Sequence, residues 1–432
     1  MASESIVFEN LFKAPLRNGL TRPKAVRGTG TKMINMGEIF AHGRIGDIVM
    51  DRVLLDEREA QSFLLEPGDL LFARQSLVFE GAGKCSIFLG SGEDVTFESH
   101  IIRARIDRDL ANPNFFYYFF QSPSGRNAIR SIVEQVAAAG IRGSDLAKLY
   151  VPKVPLPIQD AVASILGSLD DKIALNGQMN KTLESMARAL FESWFVDCYP
   201  VHAKAEGRDP GIPPQLADLF PSSFEESELG EIPSGWSVGQ FGDVAENPRR
   251  GVSPNKIQPT TPYIALEHMP RQCIALSDWG AAAGIESGKF VFYAGEILFG
   301  KLRPYFHKVG VAPVEGVCST DILVVGARSE DWFGFVLGHV SSEAFVEHTN
   351  AGSTGTKMPR TNWGEMARYP IVVPPEPLAR AFTELVRPAI SHILVSIHQS
   401  RTLADLRDTL LPKLISGELR LPDAERIVGE QL

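Results

Sequence analysis

The sequence predicts an α+β protein: two β-rich α/β blocks in pseudo-two-fold arrangement, separated by two long helices that pair as an antiparallel coiled coil. Three observations lead there. Short motifs recur along the chain, two segments carry a coiled-coil apolar seam, and prolines twice mark the passage from strand-like to helix-like text.

The motifs come first. "EPGDLLFAR" (Glu66–Arg74) resembles "YAGEILFGK" (Tyr293–Lys301): a Gly-acid turn, a short apolar strand, then a base. "DLAKLYVPKVPLP" (Asp145–Pro157) parallels "EMARYPIVVPPEP" (Glu365–Pro377), a strand closed by prolines. Lys181-Thr182-Leu183 aligns with Arg401-Thr402-Leu403, an offset of 220 residues. A repeat of this kind points to a duplicated architecture. The expected order is a first β-rich block over residues 1–155, a long helix over 156–198, and an acidic, Pro-rich linker over 199–235. A second block over 236–375, a second long helix over 376–420 and a tail over 421–432 complete it.

The helices rest on periodicity. Leu166, Leu169, Ile173, Asn176, Asn180, Leu183, Ala187, Leu190 and Trp194 follow a spacing of alternating threes and fours, which is a coiled-coil seam. Adding 220 gives Val386, Ala389, Ile393, Ser396, Ser400, Leu403, Arg407, Leu410 and Leu414. Both seams turn polar at the same two places, Asn176/Ser396 and Asn180/Ser400; polar seam residues cost stability and fix register. Pro388 and Pro412 depart from an uninterrupted helix, so a kink or an end before Lys413 is expected. Antiparallel pairing would put the two blocks at the ends of a rod on the order of 60 Å long, from ~1.5 Å per residue. DNA repeats every ~34–36 Å, so such a rod could hold two reading heads on successive major-groove faces.

Composition agrees with a globular protein: 44% hydrophobic and 22% charged residues. The opening "MASESIVFENLFKAP" lacks a basic segment followed by an apolar run, so no secretion signal is expected. No apolar stretch reaches the roughly 18 residues of a membrane span, and the expected location is cytoplasmic. Cys85, Cys198, Cys273 and Cys318 form no C-x-x-C pair, which disfavours a zinc site or disulfide framework. The net charge of −9 hides an uneven distribution. Residues 192–231 hold nine acids against two bases, whereas 249–308 hold eight bases against four acids and 1–44 hold seven against three. Two basic segments flanking an acidic one suit a polyanionic partner.

Catalytic signatures fail on inspection. "FEGAG" (Phe79–Gly83) fits the F-x-G-x-G loop of adenosylmethionine-dependent methyltransferases, and "NPNF" (Asn112–Phe115) is close to their N-P-P-F/Y motif. Such a loop should open a helix, but "KCSIFLGSGEDVTFE" follows it, and Asn114 replaces the second proline. No G-x-x-x-x-G-K-[ST] phosphate loop and no Glu-x-Lys nuclease pair occur. His202 has no second ligand at metal spacing. A non-catalytic chain with no metal site and no cofactor of its own is expected.

What remains is a duplicated set of basic and amide side chains near turns. In the first block these are Arg17, Asn18, Arg22, Lys24, Arg27, Lys32, Arg74, Gln75, Arg142 and Ser144. In the second they are Arg249, Arg250, Lys256, Lys301, Arg303, Tyr305, Lys357 and Arg360. Arg can bridge guanine O6 and N7, Asn or Gln can bridge adenine N6 and N7, and Lys chiefly meets phosphate. The Gly-flanked loops "AGIRGSD" and "AGSTGTKMPR" allow close backbone approach.

Three stretches, "LFESWFVDCYPVHAKAEG", "LFPSSFEESELGEIPSGW" and "LLPKLISGEL", resemble the specificity subunits of type I restriction–modification systems. The resemblance covers nearly the whole chain. It implies that the two β-rich blocks are target-recognition domains reading a bipartite double-stranded DNA target. It further implies a subunit that holds two methyltransferase subunits and, with them, restriction/motor subunits. S-adenosylmethionine, ATP and Mg would belong to those partners. Phe191, Trp194 and Phe195, with Leu414 and Ile415 as counterparts, are then expected as apolar anchors for a partner at the helix ends, or else as caps on the local core. Two rival readings stay open: an adenine-specific methyltransferase-like protein, and a coiled-coil scaffold that does not touch DNA.

Overall fold

The computed structural model describes residues 4–135, 138–353 and 358–431. The chain divides into two compact units, residues 1–172 with 403–432, and residues 173–402.

In the first unit, a sheet runs in the order Phe12–Asn18, Ile101–Ile106, Leu70–Ala73, Cys85–Phe88, with Arg44–Ile45 at its far edge. A second sheet sets Thr31–Ile34 between Asp51–Val53, antiparallel, and Val95–Phe97, parallel. The helix Pro113–Gln121 buries its whole run of aromatics, and Phe116 and Phe120 close on Phe8 at 5.9 and 5.2 Å. Asn112 caps that helix through the amides of Asn114 and Phe115, so the "NPNF" stretch is a helix start. The "FEGAG" stretch is a single turn, Phe79–Gly81, followed by the strand Cys85–Phe88 rather than by a helix.

The second unit repeats this plan. Its corresponding sheet runs Ala245–Glu246, Ile322–Ala327, Ile297–Gly300, Val309–Val311. Pro262–Ile264 again lies between an antiparallel neighbour, Gly280–Ala281, and a parallel one, Gly316–Cys318. Backbone bonds repeat as well. Ile141 N–H donates to Arg74 O at 2.9 Å, and Thr361 N–H donates to Lys301 O at 3.0 Å. Arg74 N–H donates to His100 O at 2.7 Å, and Lys301 N–H donates to Asp321 O at 2.9 Å.

The long helices span Leu156–Phe191 and Glu376–Ser416. Prolines at the second position of each help set the first turn, where no intrahelical donor is needed. All eighteen seam positions are buried or half-buried. Within the second unit, Asn176 bonds Ser400 and Asn180 bonds Ser396; within the first, Asp170 bonds Arg407. Partner numbers fall as the first helix advances, so the pairing is antiparallel.

Two sequence expectations need correction. The second helix is unbroken through Pro388 and Pro412. The carbonyls that lose their donors belong to Glu384 and Asp408, both exposed, so water can satisfy them. The acidic stretch 199–235 is also no free linker. It forms the helix Tyr199–Ala205 and the hairpin Phe224–Ser227 with Gly230–Pro233, places Val201 and Phe220 in the second unit's core, and buries Ile232. Lys204 anchors it through the carbonyl oxygens of Ala217 and Phe220. Beyond Gly417, whose φ of 72° ends the second long helix, Leu421–Gly429 forms a further helix that buries Ala424 and Val428.

Candidate nucleic-acid interface

Each unit carries an open groove at the same place, beside the outer strand, the central strand and the start of a one-turn helix. In the first unit the groove is about 630 Å³ and is lined by Lys13, Leu16, Asn18, Ile102, Gly143 and Ser144. In the second it is about 280 Å³ and is lined by Asn247, Arg249, Lys301, Leu323, Trp363 and Gly364. Gly143-Ser144 and Trp363-Gly364 are equivalent under the offset of 220, and both begin one-turn helices, Gly143–Ala147 and Trp363–Ala367.

The basic candidates separate into two groups. Several are tied into ion pairs within their own unit. Arg22 meets Glu59 at 2.6 Å, Arg27 meets Asp51 at 2.8 Å and Asn35 at 2.6 Å, and Lys32 meets Asp47 at 2.6 Å and Glu93 at 3.1 Å. Arg250 makes a two-pronged bond to Glu296 at 2.8 and 2.9 Å and lies over Tyr293. The bond to Asp47 raises the Lys32 pKa, and the bond to Glu296 raises that of Arg250. These four hold their charge within their own unit. Each is largely withdrawn from solvent, and its charge is already balanced by a carboxylate distant in sequence. Arg142 and Arg360 are exposed, but they pair with Glu134 at 2.7 Å and Asp321 at 3.4 Å.

The second group keeps its charge available. Lys24, Arg249 and Lys256 are exposed, and Arg74 and Lys301 half-exposed, with no side-chain hydrogen bond or ion pair among the described residues. Arg17 is exposed on the outer strand opposite Arg103 and lies over Phe63 at 5.1 Å. Asn18 and Gln75 are exposed on strands, and Ser144, also exposed, bonds only the adjacent Asp145 carboxylate. Arg303 is half-buried over Phe306, its Nε without a partner among the described residues, and Tyr305 beside it is 50% exposed. Lys357 lies outside the described residues.

The aromatic helix end is not an exposed patch. Phe191, Trp194 and Phe195 are buried at 2%, 1% and 8% exposure among Phe220, Trp236, Phe335 and Phe382 of the same unit. Trp194 packs edge-on against Phe220 at 5.1 Å, and Phe195 against Phe382 at 5.0 Å. The core-capping alternative describes these three side chains. Leu414 is likewise buried, while Ile415 is half-buried. Apolar exposure on the helices lies elsewhere: Leu175, Met179 and Met186 fall on one helical face, and Val395 is the counterpart of Leu175 at an offset of 220. No group of three or more metal-ligating side chains occurs among the described residues, and no described helix is long and apolar enough to cross a membrane.

Comparison with known proteins places this architecture. The family model for the type I restriction modification DNA specificity domain matches residues 21–185. The chain is 24% identical over 329 residues to the type I restriction enzyme MjaIX specificity subunit of Methanocaldococcus jannaschii, covering 74% of this chain and 72% of that one. It is 22% identical over 382 residues to the EcoDI specificity subunit of Escherichia coli, covering 83% and 82%. Its fold is similar to the crystal structure of the type I restriction-modification S subunit from M. genitalium, with a TM-score of 0.54 at 14% identity and 95% coverage of both chains. The duplicated β-rich units, the paired long helices and these relatives lead to one conclusion: in sequence and in fold the chain is similar to the specificity subunits of type I restriction–modification systems.

Proposed function

We propose that each unit reads one short element of a bipartite duplex target through its groove and the unpaired cations around it. The observation that carries this reading is the duplicated groove. Corresponding elements border it in both units, an outer strand, its neighbour and a helix start, yet Lys13, Asn18 and Ser144 line one and Asn247, Arg249 and Lys301 the other. One scaffold with different donors and acceptors suits two different base sequences, because base edges in the major groove differ in donor and acceptor pattern. The partners in this reading are two methyltransferase subunits and, with them, restriction/motor subunits, which bring S-adenosylmethionine, ATP and Mg. Leu175, Met179 and Met186 give a better surface for such a partner than the buried Trp194 cluster.

The test is an exchange of residues 236–375 for the matching block of a relative, followed by mapping of methylated adenines in DNA from cells that carry the complete system. One half of the target should change and the other should stay. A change in both halves would refute independent reading, and a methylation pattern with no sequence preference would favour the scaffold.

A further inference from the structure

We infer that Leu77 with Val78 in the first unit, and Tyr305 in the second, are specificity-determining tips that touch base edges of duplex DNA, Leu77 through a thymine methyl group. This deepens the reading above and rests on it. Leu77 is 97% exposed and Val78 60%, on the loop that follows the strand Leu70–Ala73, just after Arg74 and Gln75. A single exposed leucine is ordinary. This one stands on a fastened loop. Gln75 and Ser76 pair with Gly140 and Ala139, Val78 N–H donates to Ser76 Oγ at 3.2 Å, and Arg126 donates to the carbonyl oxygens of Glu80 and Gly83. At Gly81 a Cβ would come within 2.2 Å of Ser76 Oγ, so the loop is closed to any larger residue there. A loop whose backbone is already fastened gives up little further freedom when its tip meets a surface.

The second unit builds its counterpart by different means. Aligning Arg74 with Lys301 places Tyr305 opposite Val78, and Leu302 bridges Arg360 as Gln75 pairs with Gly140. Arg303 and His307, on either side of Tyr305, hold left-handed backbone at φ 51° and 48°. Non-glycine residues persist there only where the surroundings hold them, and such strain gathers at functional positions. The Arg303 N–H bond to Pro359 O at 2.7 Å and the His307 ring bond to Ser341 O at 3.0 Å supply the restraint. Two unrelated sets of contacts thus fasten the backbone that carries an exposed apolar or aromatic side chain at one place in a duplicated fold.

The neighbours say what covers it. Arg74 precedes the first tip, and Lys301 and Arg303 precede the second, a setting suited to the phosphate backbone. An aliphatic side chain gains nothing from phosphate. Between phosphates, the apolar group that a duplex offers is the thymine C5-methyl in the major groove.

The experiment is selection from a randomised double-stranded DNA library by the full chain assembled with its methyltransferase subunits, using wild type, Leu77→Ala and Tyr305→Ala. Leu77 is so exposed that its truncation leaves the core intact, and a melting curve on each variant checks this. The expected result is that Leu77→Ala loses roughly tenfold discrimination at one thymine-bearing pair in one half of the target. Tyr305→Ala should lose it at one pair in the other half. Unchanged preferences in both variants would overturn the inference, as would an equal loss over all sequences, which is the mark of a protein or phosphate contact. Loss of discrimination at a pair without thymine would overturn the methyl assignment. A wild-type complex that selects no sequence would instead sink the DNA-reading proposal together with this one.

Discussion

Asn176 donates its side-chain amide to the hydroxyl of Ser400 at 3.1 Å, and one turn further along the first helix the Ser396 hydroxyl donates to the side-chain carbonyl of Asn180. Asn176 and Ser396 are equivalent positions, as are Asn180 and Ser400, so each bond is the image of the other under exchange of the helices. That reciprocity is what an antiparallel pair of equivalent elements requires. The two polar layers also specify register, since a shift of either helix would leave buried amides without partners.

Ser396→Ala therefore should cost about 1–3 kcal/mol, because it deprives the buried Asn180 carbonyl of its donor. Asn180→Leu combined with Ser396→Ala should recover much of that loss, since removing both partners removes the unsatisfied group. Urea denaturation of the single and double variants measures it. A neutral Ser396→Ala would show that water already serves the layer.

A second fixing point lies in the first unit. Asp170, 8% exposed, accepts from the Tyr118 hydroxyl at 2.7 Å and from Arg407 at 2.6 Å. Breaking a buried pair by removing one partner can cost about 3–5 kcal/mol. Arg407 keeps Asp408 at 2.7 Å and is a quarter exposed, so the loss on Asp170→Ala is placed nearer 2 kcal/mol. Tyr118→Phe should cost about 1 kcal/mol. If the two losses simply add in the double variant, the hydroxyl and the carboxylate do not act as one network.

The seams were legible because burial of a helix face imposes a period, and that period survives in the sequence whatever the partner. The duplicated strands were legible through Gly-acid turns and proline stops, which are local chemistry. The site was legible only in part. Arg27 and Lys32 look like any loop cations until folding brings Asp51, Asp47 and Glu93 to them. For Trp194 and Phe195 the choice between partner anchor and core cap stayed open, because the side chains that cover them, Phe335 and Phe382, lie more than a hundred residues away. Leu77 gave no signal at all, since its meaning lies in exposure on a fastened loop.

Trp194→Ala should accordingly act on folding first. Truncating a buried aromatic costs about 3–5 kcal/mol through lost burial and the cavity left behind. A large fall in melting temperature of the isolated chain is expected. Partner loss without destabilisation would restore the interface reading.

His339 sets a pH dependence. It lies half-buried against Phe335 at 4.5 Å and Phe191 at 4.9 Å, its Nε2 enclosed and unpartnered among the described residues, and loss of hydration pushes its pKa down to about 3. In the unfolded chain it titrates near 6.5. Between those values the unfolded chain binds a proton that the folded chain refuses. The contribution is therefore complete above pH 6.5 and is lost as pH falls toward 3, by at most about 1.4 kcal/mol per unit. Whatever offset His339→Phe introduces at pH 7.5, the variant should gain on wild type by roughly 2 kcal/mol at pH 5. Parallel stability curves for the two proteins would contradict this.

Arg249 and Arg250 are neighbours with opposite expected behaviour. Arg250 is bonded twice to Glu296 and covers Tyr293 at 4.5 Å, so Arg250→Ala should lower stability by about 1 kcal/mol, a partly exposed pair being screened. DNA affinity should change little once the remaining folded fraction is counted. Arg249 is exposed, lines the second groove and holds left-handed backbone at φ 44°. Arg249→Gly removes a conformation that costs an L-residue about 1–2 kcal/mol, partly offset by the greater freedom of the unfolded chain. Stability should stay level or rise, while DNA binding falls. If its guanidinium meets a phosphate, the slope of log affinity against log salt should become shallower by about one unit, with sequence preference kept. If it meets a base, preference should relax at one position in the half read by the second unit. Binding titrations at several salt concentrations separate these outcomes, and Lys301→Ala, which changes no strained backbone, serves as the companion. An Arg249→Gly protein that binds as tightly as wild type at every salt concentration would remove this side of the groove from the interface.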